Sequence, residues 1–407
     1  SAVFLAVITV VVLGFEFQIL AGMQPIPTSP PPPPTTTPCP DIPPLSLEDL
    51  LSIGEARVFR YTQKDVWKRD CTAFMRAVRG AQRAPKAPPE PEPGAEGSKG
   101  ATMDKAHTPP DLAAPVLMHT GLTEFGGAKG LEVVDFPRKV RLGVMSFLAS
   151  QELGKIRLLV WCAPLGEAEV REVLAPIIQD DRYARHVTVA PFDAQAEFEH
   201  MTTPAQAELL FRIYNGSGNI QKASASDLMR IALLHNYGGM WIDTDVLLVN
   251  SFLPLAGLDW VYEGQPDFYN PALLSVSEPR SAFMKAVLRI IGEMNLTRIG
   301  ERGGFVYTFG PSLMRRIVKH NRNITHLVVT LPSCFFDPGF QGTAVDWVSW
   351  SNFWTTTAED KHVAYLTPGK GPPFAYHWHG RWNHSIANNS LPDRMERLYL
   401  QRLQLQG

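Results

Sequence analysis

Several common signatures are missing from the 407 residues. There is no phosphate loop and no dinucleotide-binding glycine fingerprint; the glycine-rich stretch GLTEFGGAKG lacks the required spacing. Cysteine is scarce: Cys39, Cys71, Cys162 and Cys334 form no CxxC pair and no mixed Cys/His cluster, which argues against a zinc-ribbon or finger. Four cysteines allow three pairings, and the sequence does not choose among them. Neither sign of charge dominates, with a formal net charge of -2 and no clustered basic excess, so nucleic acid is not an expected partner. No internal repeat is visible.

Long apolar runs are also lacking, with one marginal case. Ala2 to Phe15 is unbroken, but Glu16 and Gln18 interrupt its continuation, and a membrane-spanning helix wants about 20 apolar residues. Residues 1–22 read as a signal anchor, with a cleaved signal peptide or a buried element as alternatives. Residues 23–46, MQPIPTSPPPPPTTTPCPDIPP and beyond, are a Pro-dominated stem that cannot build a core. Residues 47–112 hold a short helical segment and a low-complexity linker. Five N-x-[ST] acceptors, at Asn215, Asn295, Asn323, Asn383 and Asn388, suit a luminal setting. Together these features predict a single-pass type II membrane protein of the Golgi or ER lumen, or a secreted form. The oligomeric state is not legible.

What is present in quantity is a β-α rhythm. APVLMHT, KIRLLVWCA, RHVTVAPFD and MWIDTDVLLV read as strands; VRLGVMSFLASQEL, GEAEVREVLAPIIQ and residues 224–237 read as helices. The alternation predicts an α/β domain over 113–390, a mostly parallel, Rossmann-related central sheet flanked by helices, with 391–407 as a tail. Ligands in such sheets gather beyond the carboxyl ends of the strands. Past about residue 255 the pattern weakens to sheet extensions and loops, with helices at PRSAFMKAVLRIIGEM and GPSLMRRIVKH.

The chemistry concentrates in SDLMRIALLHNYGGMWIDTDVLL, Ser226 to Leu248. If MWIDTDVLLV is one strand, Asp243 and Asp245 share a face. Two carboxylates beside buried sheet repel and need a cation; oxygen ligands suit Mn²⁺ or Mg²⁺. Ordinary readings compete for each part. Ser224 can cap the helix with Asp227 in a capping box, or Asp227 and Arg230 can form a surface pair. Gly238 can end the helix and Gly239 can turn the chain. The twelfth position from Asp243 is Pro254, so an EF-hand is excluded.

The ordered pattern S-D-x-x-R, L, Y-G-G, an apolar pair and D-x-D resembles the sugar-binding region of retaining DXD-type glycosyltransferases. That family includes fungal initiating α-1,6-mannosyltransferases, inositol-phosphoceramide mannosyltransferases and related α-1,4-glycosyltransferases. YHWHGRW resembles its H-[FW]-x-G-S-W stretch at His377, Gly380 and Trp382, with Arg381 in place of Ser. The resemblance implies a GT-A-like fold, a nucleotide-sugar donor, Mn²⁺ or Mg²⁺, a glycan or glycolipid acceptor, and transfer with retention.

It also implies roles. Asp245 is the main metal ligand, and Asp243 binds the ribose and reaches the metal. His377 is the third ligand or donates to the leaving phosphate, with His379 and His384 as competitors. Asp227 and Arg230 hold the donor sugar and phosphate, His119 borders the nucleotide, and Asn270 lies near the sugar. GDP-mannose fits one branch, UDP-galactose or UDP-GlcNAc the other. A metal-dependent phosphohydrolase and a non-catalytic glycan-binding protein are the competing readings; the former usually needs a richer His/Asp cluster. The tryptophans of VDWVSWSNFW are either sugar-stacking or core.

Overall fold

The computed structural model describes residues 116–122, 134–163, 166–215, 222–265, 268–302, 308–320, 327–337, 353–354, 358–369 and 373–405. Contacts divide the chain into residues 1–43 and residues 44–407, and every described residue belongs to the second unit. The signal segment, the stem and the 47–112 segment lie outside the described residues, as do Cys39, Cys71 and Asn323. No helix among the described residues is long and apolar enough to cross a membrane.

The described chain is mixed α/β. Strands β1 (Val116–Leu122), β2 (Ile156–Cys162), β3 (Val187–Pro191) and β4 (Gly239–Ile242) pair in parallel in the order β3-β2-β1-β4. The sheet continues through β7 (Phe268–Val276), β6 (Trp260–Gln265) and β8 (Val329–Pro332), giving seven strands; β7 runs antiparallel to both β4 and β6. A second sheet has two antiparallel strands, β5 (Val246–Leu248) and β9 (Ala375–His377).

Strand periodicity sorts side chains into two cores. Met118, Leu158, Val160, Met240 and Ile242 face one side, packed with helices α1 (Phe136–Ser150) and α2 (Glu167–Ile178). Leu159, Trp161 and Trp241 face the other. There they meet α3 (Ala194–Met201), α4 (Pro204–Tyr214), α5 (Lys222–Tyr237), α6 (Ala282–Gly292) and α8 (Pro311–His320); α7 is Leu296–Arg302. Each fully buried large side chain contributes about 1.5–3 kcal/mol.

Three local expectations are corrected. Helix α5 begins at Lys222, so Ser224 lies inside it and is no N-cap. The MWIDTDVLLV run is not one strand: β4 stops at Ile242, residues 243–245 turn, and β5 departs to pair with β9. The tail set apart at 391 is largely a helix: after α9 (Asp360–Leu366), α10 (Leu391–Leu403) buries Leu391, Met395, Tyr399 and Leu403 in the first core. Those positions recur at helical spacing, which is the signal for it. Four helices, α3, α4, α7 and α9, are additions to the sequence reading, although Asp193 caps α3 by accepting from Ala196 N and Pro204 opens α4.

Candidate active site

The site begins where α5 turns into β4. Gly238 and Gly239 both have positive φ, 67° and 86°, as the helix-stop reading requires. A Cβ on Gly239 would collide with the Leu117 carbonyl oxygen, so only glycine lets β4 start this close to β1. Tyr237 is anchored from outside the motif: its hydroxyl donates to Glu197 Oε1 at 2.7 Å, and its ring stacks on Trp161 at 5.8 Å.

At the carboxyl end of β4 the chain leaves the sheet. Asp243 N–H still donates to Ala272 O at 2.8 Å, extending the pairing with β7 by one residue. Asp243 Oδ1 accepts from Arg230 Nη2 at 2.6 Å and from Trp241 Nε1 at 2.5 Å. Arg230 also donates from Nη1 to Asp227 Oδ1 at 2.5 Å, and its guanidinium lies 5.2 Å from the Trp241 ring centre. Asp227–Arg230 is therefore a buried pair, with side chains 8% and 4% exposed, rather than a capping box or a surface bridge. Asp243, at 26%, is the member open to solvent.

The two aspartates of the turn part company and then converge on a third residue. Asp245 faces the C-terminal loop: its Oδ2 accepts from Gly380 N–H at 2.5 Å and contacts His377 Nε2 at 3.2 Å, while its carbonyl accepts from Trp378 N–H at 3.0 Å. His377 Nδ1 is 3.0 Å from the Tyr262 hydroxyl, which fixes the ring. Asp243, Asp245 and His377 offer ligand atoms within 4.8 Å of one another. The break in the strand thus does what the pleat was expected to do. It arises because β4 sits in the large sheet and β5 changes partner to β9.

The electrostatics follow from burial. Burial raises Asp227 to about 6, opposed by Arg230. Burial also raises Asp243, against Arg230. For Asp245 burial acts upward, but His377, His379 and the Gly380 N–H together hold it below the usual carboxylate range. Burial acts downward on His377, yet Asp245, Asp337 and Asp243 together outweigh it and carry the imidazole up to about 9. Two carboxylates and an imidazole around a partly open position form a donor set that fits Mn²⁺ or Mg²⁺.

One expected member, His119, does not serve as expected. His119 is wholly buried, and both ring nitrogens are committed: Nδ1 accepts from Trp161 Nε1 at 3.0 Å, and Nε2 donates to Gly238 O at 2.9 Å. It ties β2 to the glycine turn and has no polar atom left for a nucleotide. Asn270 is half-buried beside the site, but its Oδ1 accepts from Ala272 N at 3.0 Å and so shapes β7. His384 contributes its carbonyl to Lys139 and belongs to no metal-binding group among the described residues. Arg381, where the family has Ser, is exposed. Of the aromatic run before it, Phe353 and Trp354 are core; Trp347 and Trp350 lie outside the described residues.

Three further residues escaped sequence reasoning, Gly310, Lys139 and Asp337, and His379, named above as a competitor of His377, has an unusual backbone. Gly310 packs so closely that a Cβ would stand 2.9 Å from Asp227 Cγ, so this glycine makes room for the carboxylate. Lys139 is fully buried and donates from Nζ to the carbonyls of Arg381, Trp382 and His384 at 3.3, 2.8 and 2.6 Å. Asp337 is fully buried and bonds His379 Nε2 at 2.5 Å. His379 has φ of 56°, a costly value for a residue with a Cβ, directly before Gly380 at 63°.

Residues 210–256, which carry Asp227, Arg230, Asp243 and Asp245, match the profile of the family described as "Capsular polysaccharide synthesis protein". No curated protein matches the chain. Among solved structures the chain is similar to PaToxG glycosyltransferase at 14% identity, covering 64% of this chain and 80% of that one, with a TM-score of 0.35. It is similar to an active-site mutant of LgtC at 13% identity, 72% and 96% coverage and a TM-score of 0.36. The UDP-bound glycosyltransferase domain of the YGT toxin is similar at 11% identity, 53% and 79% coverage and a TM-score of 0.33.

Proposed function

We propose that the chain is a metal-dependent, retaining glycosyltransferase of GT-A-like fold that moves a hexose from a nucleotide-sugar donor to a glycan or glycolipid acceptor. One observation carries this reading: Asp243 and Asp245, from the turn between β4 and β5, and His377, from β9, meet within 4.8 Å at the carboxyl end of β4, beside the buried Asp227–Arg230 pair. The family match over residues 210–256 supports it, because Asp227, Arg230, Asp243 and Asp245 all lie in the match. The luminal, membrane-held setting inferred from the N-terminal sequence is part of the same proposal.

Bound there, Mn²⁺ or Mg²⁺ would neutralise diphosphate charge, with Asp243, Asp245 and His377 holding it. The chain's own residues do the positioning. Arg230 keeps Asp243 oriented through Nη2 while pairing Asp227 through Nη1, a forked geometry that lysine cannot copy. Asp243, the more exposed carboxylate, meets the donor. The backbone N–H of Gly380 and the Tyr262 hydroxyl lock Asp245 and His377 in place. Acceptor attack occurs on the face from which the nucleotide departs, and the leaving phosphate oxygen takes the acceptor proton. A trapped glycosyl-Asp or glycosyl-Glu adduct would replace that with a two-step route.

A second reading gains from Asp337 and His379, since a metal-dependent phosphohydrolase favours a His/Asp-rich cluster. One experiment separates the two: a nucleotide-sugar panel with Mn²⁺, followed by nucleotide release and by sugar transfer, with and without acceptors. Release that rises with an acceptor, and a glycosylated product, support transfer. Equal release without any acceptor, and no product, would establish hydrolysis instead.

A further inference from the structure

Asp337 and His379 lie outside the D-T-D turn and outside α5. Asp337 follows β8, is wholly buried, and is fixed through its backbone N–H, which donates to Ser333 O at 2.6 Å. Its Oδ2 bonds His379 Nε2, while its Oδ1 is buried with no hydrogen-bond partner among the described residues. A buried carboxylate with one oxygen unanswered is costly, and a single imidazole contact does not offset it. Such a group calls for a cation. His377 and His379 stack beside it with ring centres 4.0 Å apart, and Asp337, His377 and His379 offer ligand atoms within 4.8 Å of one another.

We propose that Asp337, His377 and His379 form a second cation position, selective for Zn²⁺, which shares His377 with the acidic pair Asp243/Asp245. The selectivity follows from the donors. Two imidazoles and one carboxylate are a three-ligand zinc set with a fourth place for water or a phosphate oxygen. The neighbouring position, with two carboxylates and one imidazole, is the harder of the two and favours Mn²⁺ or Mg²⁺. Because His377 belongs to both, Zn²⁺ at the second position draws this ring away from Asp245, and the two cations compete. The proposal stands whether or not the chain transfers sugar.

The test is a calorimetric titration of metal-free protein with Zn²⁺, paired with the visible absorption of Co²⁺ used in its place. Asp337→Asn and His379→Gln should each weaken Zn²⁺ binding by about 100-fold or more, beyond the loss from altering an outer-shell partner. Both should remove the tetrahedral Co²⁺ bands. Asp243→Asn should leave Zn²⁺ affinity and the Co²⁺ bands in place. Circular dichroism checks the fold; if Asp337→Asn does not fold, His379→Gln decides, since His379 is partly exposed. Wild-type Zn²⁺ affinity in a folded His379→Gln, or an equal loss in Asp243→Asn, would overturn the proposal. Failure of the transfer reading would show up separately, as absence of turnover with every nucleotide sugar, and leaves the titration unaffected.

Discussion

The two halves of the site are built in opposite ways. Asp227, Arg230 and Asp243 come from one helix–turn–strand unit, close in sequence, and their order is set by helix spacing and two glycines. Asp337, His377, His379 and Gly380 arrive from distant segments and meet Asp245 only because β9 pairs with β5, Val246 opposite His377. Asp245 is the joint between them: its turn belongs to the first half and its hydrogen bonds to the second. A local half can be read from a short stretch of sequence. An assembled half depends on register, and register is a long-range property.

The strongest way to break this comparison is at the joint. Asp245→Ala should lower Mn²⁺-supported transfer by about a hundred- to a thousandfold, the size seen when preorganised charge stabilisation is removed. Its thermal unfolding should stay cooperative. A purified variant with near-wild-type transfer at limiting Mn²⁺ would place the joint elsewhere.

The local half is the more brittle in stability. Arg230→Met leaves Asp227 and Asp243 facing each other unpaired, with Asp227 buried. A loss of about 3 kcal/mol is expected in urea unfolding, at the lower end for a broken buried pair because Asp243 is partly solvated. Arg230→Lys should recover little of it, since one ammonium cannot reach both carboxylates as a fork. Full recovery by lysine would mean that charge alone matters there.

This contrast also explains what the sequence discloses. The parallel strands, α5, the glycine turn and the Asp-x-Asp segment are legible because each rests on local periodicity or a local backbone demand. Lys139 is not legible: nothing near Pro137 or Arg138 announces that its ammonium will be enclosed by three carbonyls from residues 381–384. Asp337 is hidden for the same reason. His119 is assigned the wrong partner, because the sequence places it on the first strand but cannot show that it lies mid-strand, with Trp161 and Gly238 taking both nitrogens. Asp243 and Asp245 do come together, but by a route other than the one the sequence suggests, since the turn and not a continuous pleat brings them to His377.

His119 gives a pH test of the local half. Burial pushes its pKa down to about 4, with the Gly238 hydrogen bond opposing. Its folded value is thus below the unfolded one, so its neutral form supports the fold fully above about pH 6.5. That support declines as pH falls toward 4, because the unfolded chain then binds the extra proton. The window corresponds to at most about 3 kcal/mol. His119→Gln, which keeps an amide for hydrogen bonding but cannot titrate, should flatten this part of the stability profile. An unchanged slope would assign the acid sensitivity to other groups.

The assembled half should yield by a smaller step at Lys139. The ammonium holds the loop after Gly380 by three carbonyls and lies 4.4 Å from the Trp354 ring centre. Lys139→Met keeps most of the apolar stem and removes every donor; Trp382 O still accepts from Val134 N–H and Arg381 O from His384 N–H, so His384 O is the acceptor that loses its donor. A single such loss costs about 1–3 kcal/mol, but the loop has other anchors. Ile386 N–H donates to Asp135 Oδ2 at 2.8 Å, and Trp382 packs on Phe136 with ring centres 5.6 Å apart. Removal of a buried charge offsets part of the cost as well. The net loss should therefore be about 1–2 kcal/mol, with faster amide hydrogen exchange concentrated at residues 381–386 and weaker cation binding at His377. Exchange that quickens equally in α5 would show that Lys139 supports the whole domain, and would erase the distinction between a local half and an assembled one.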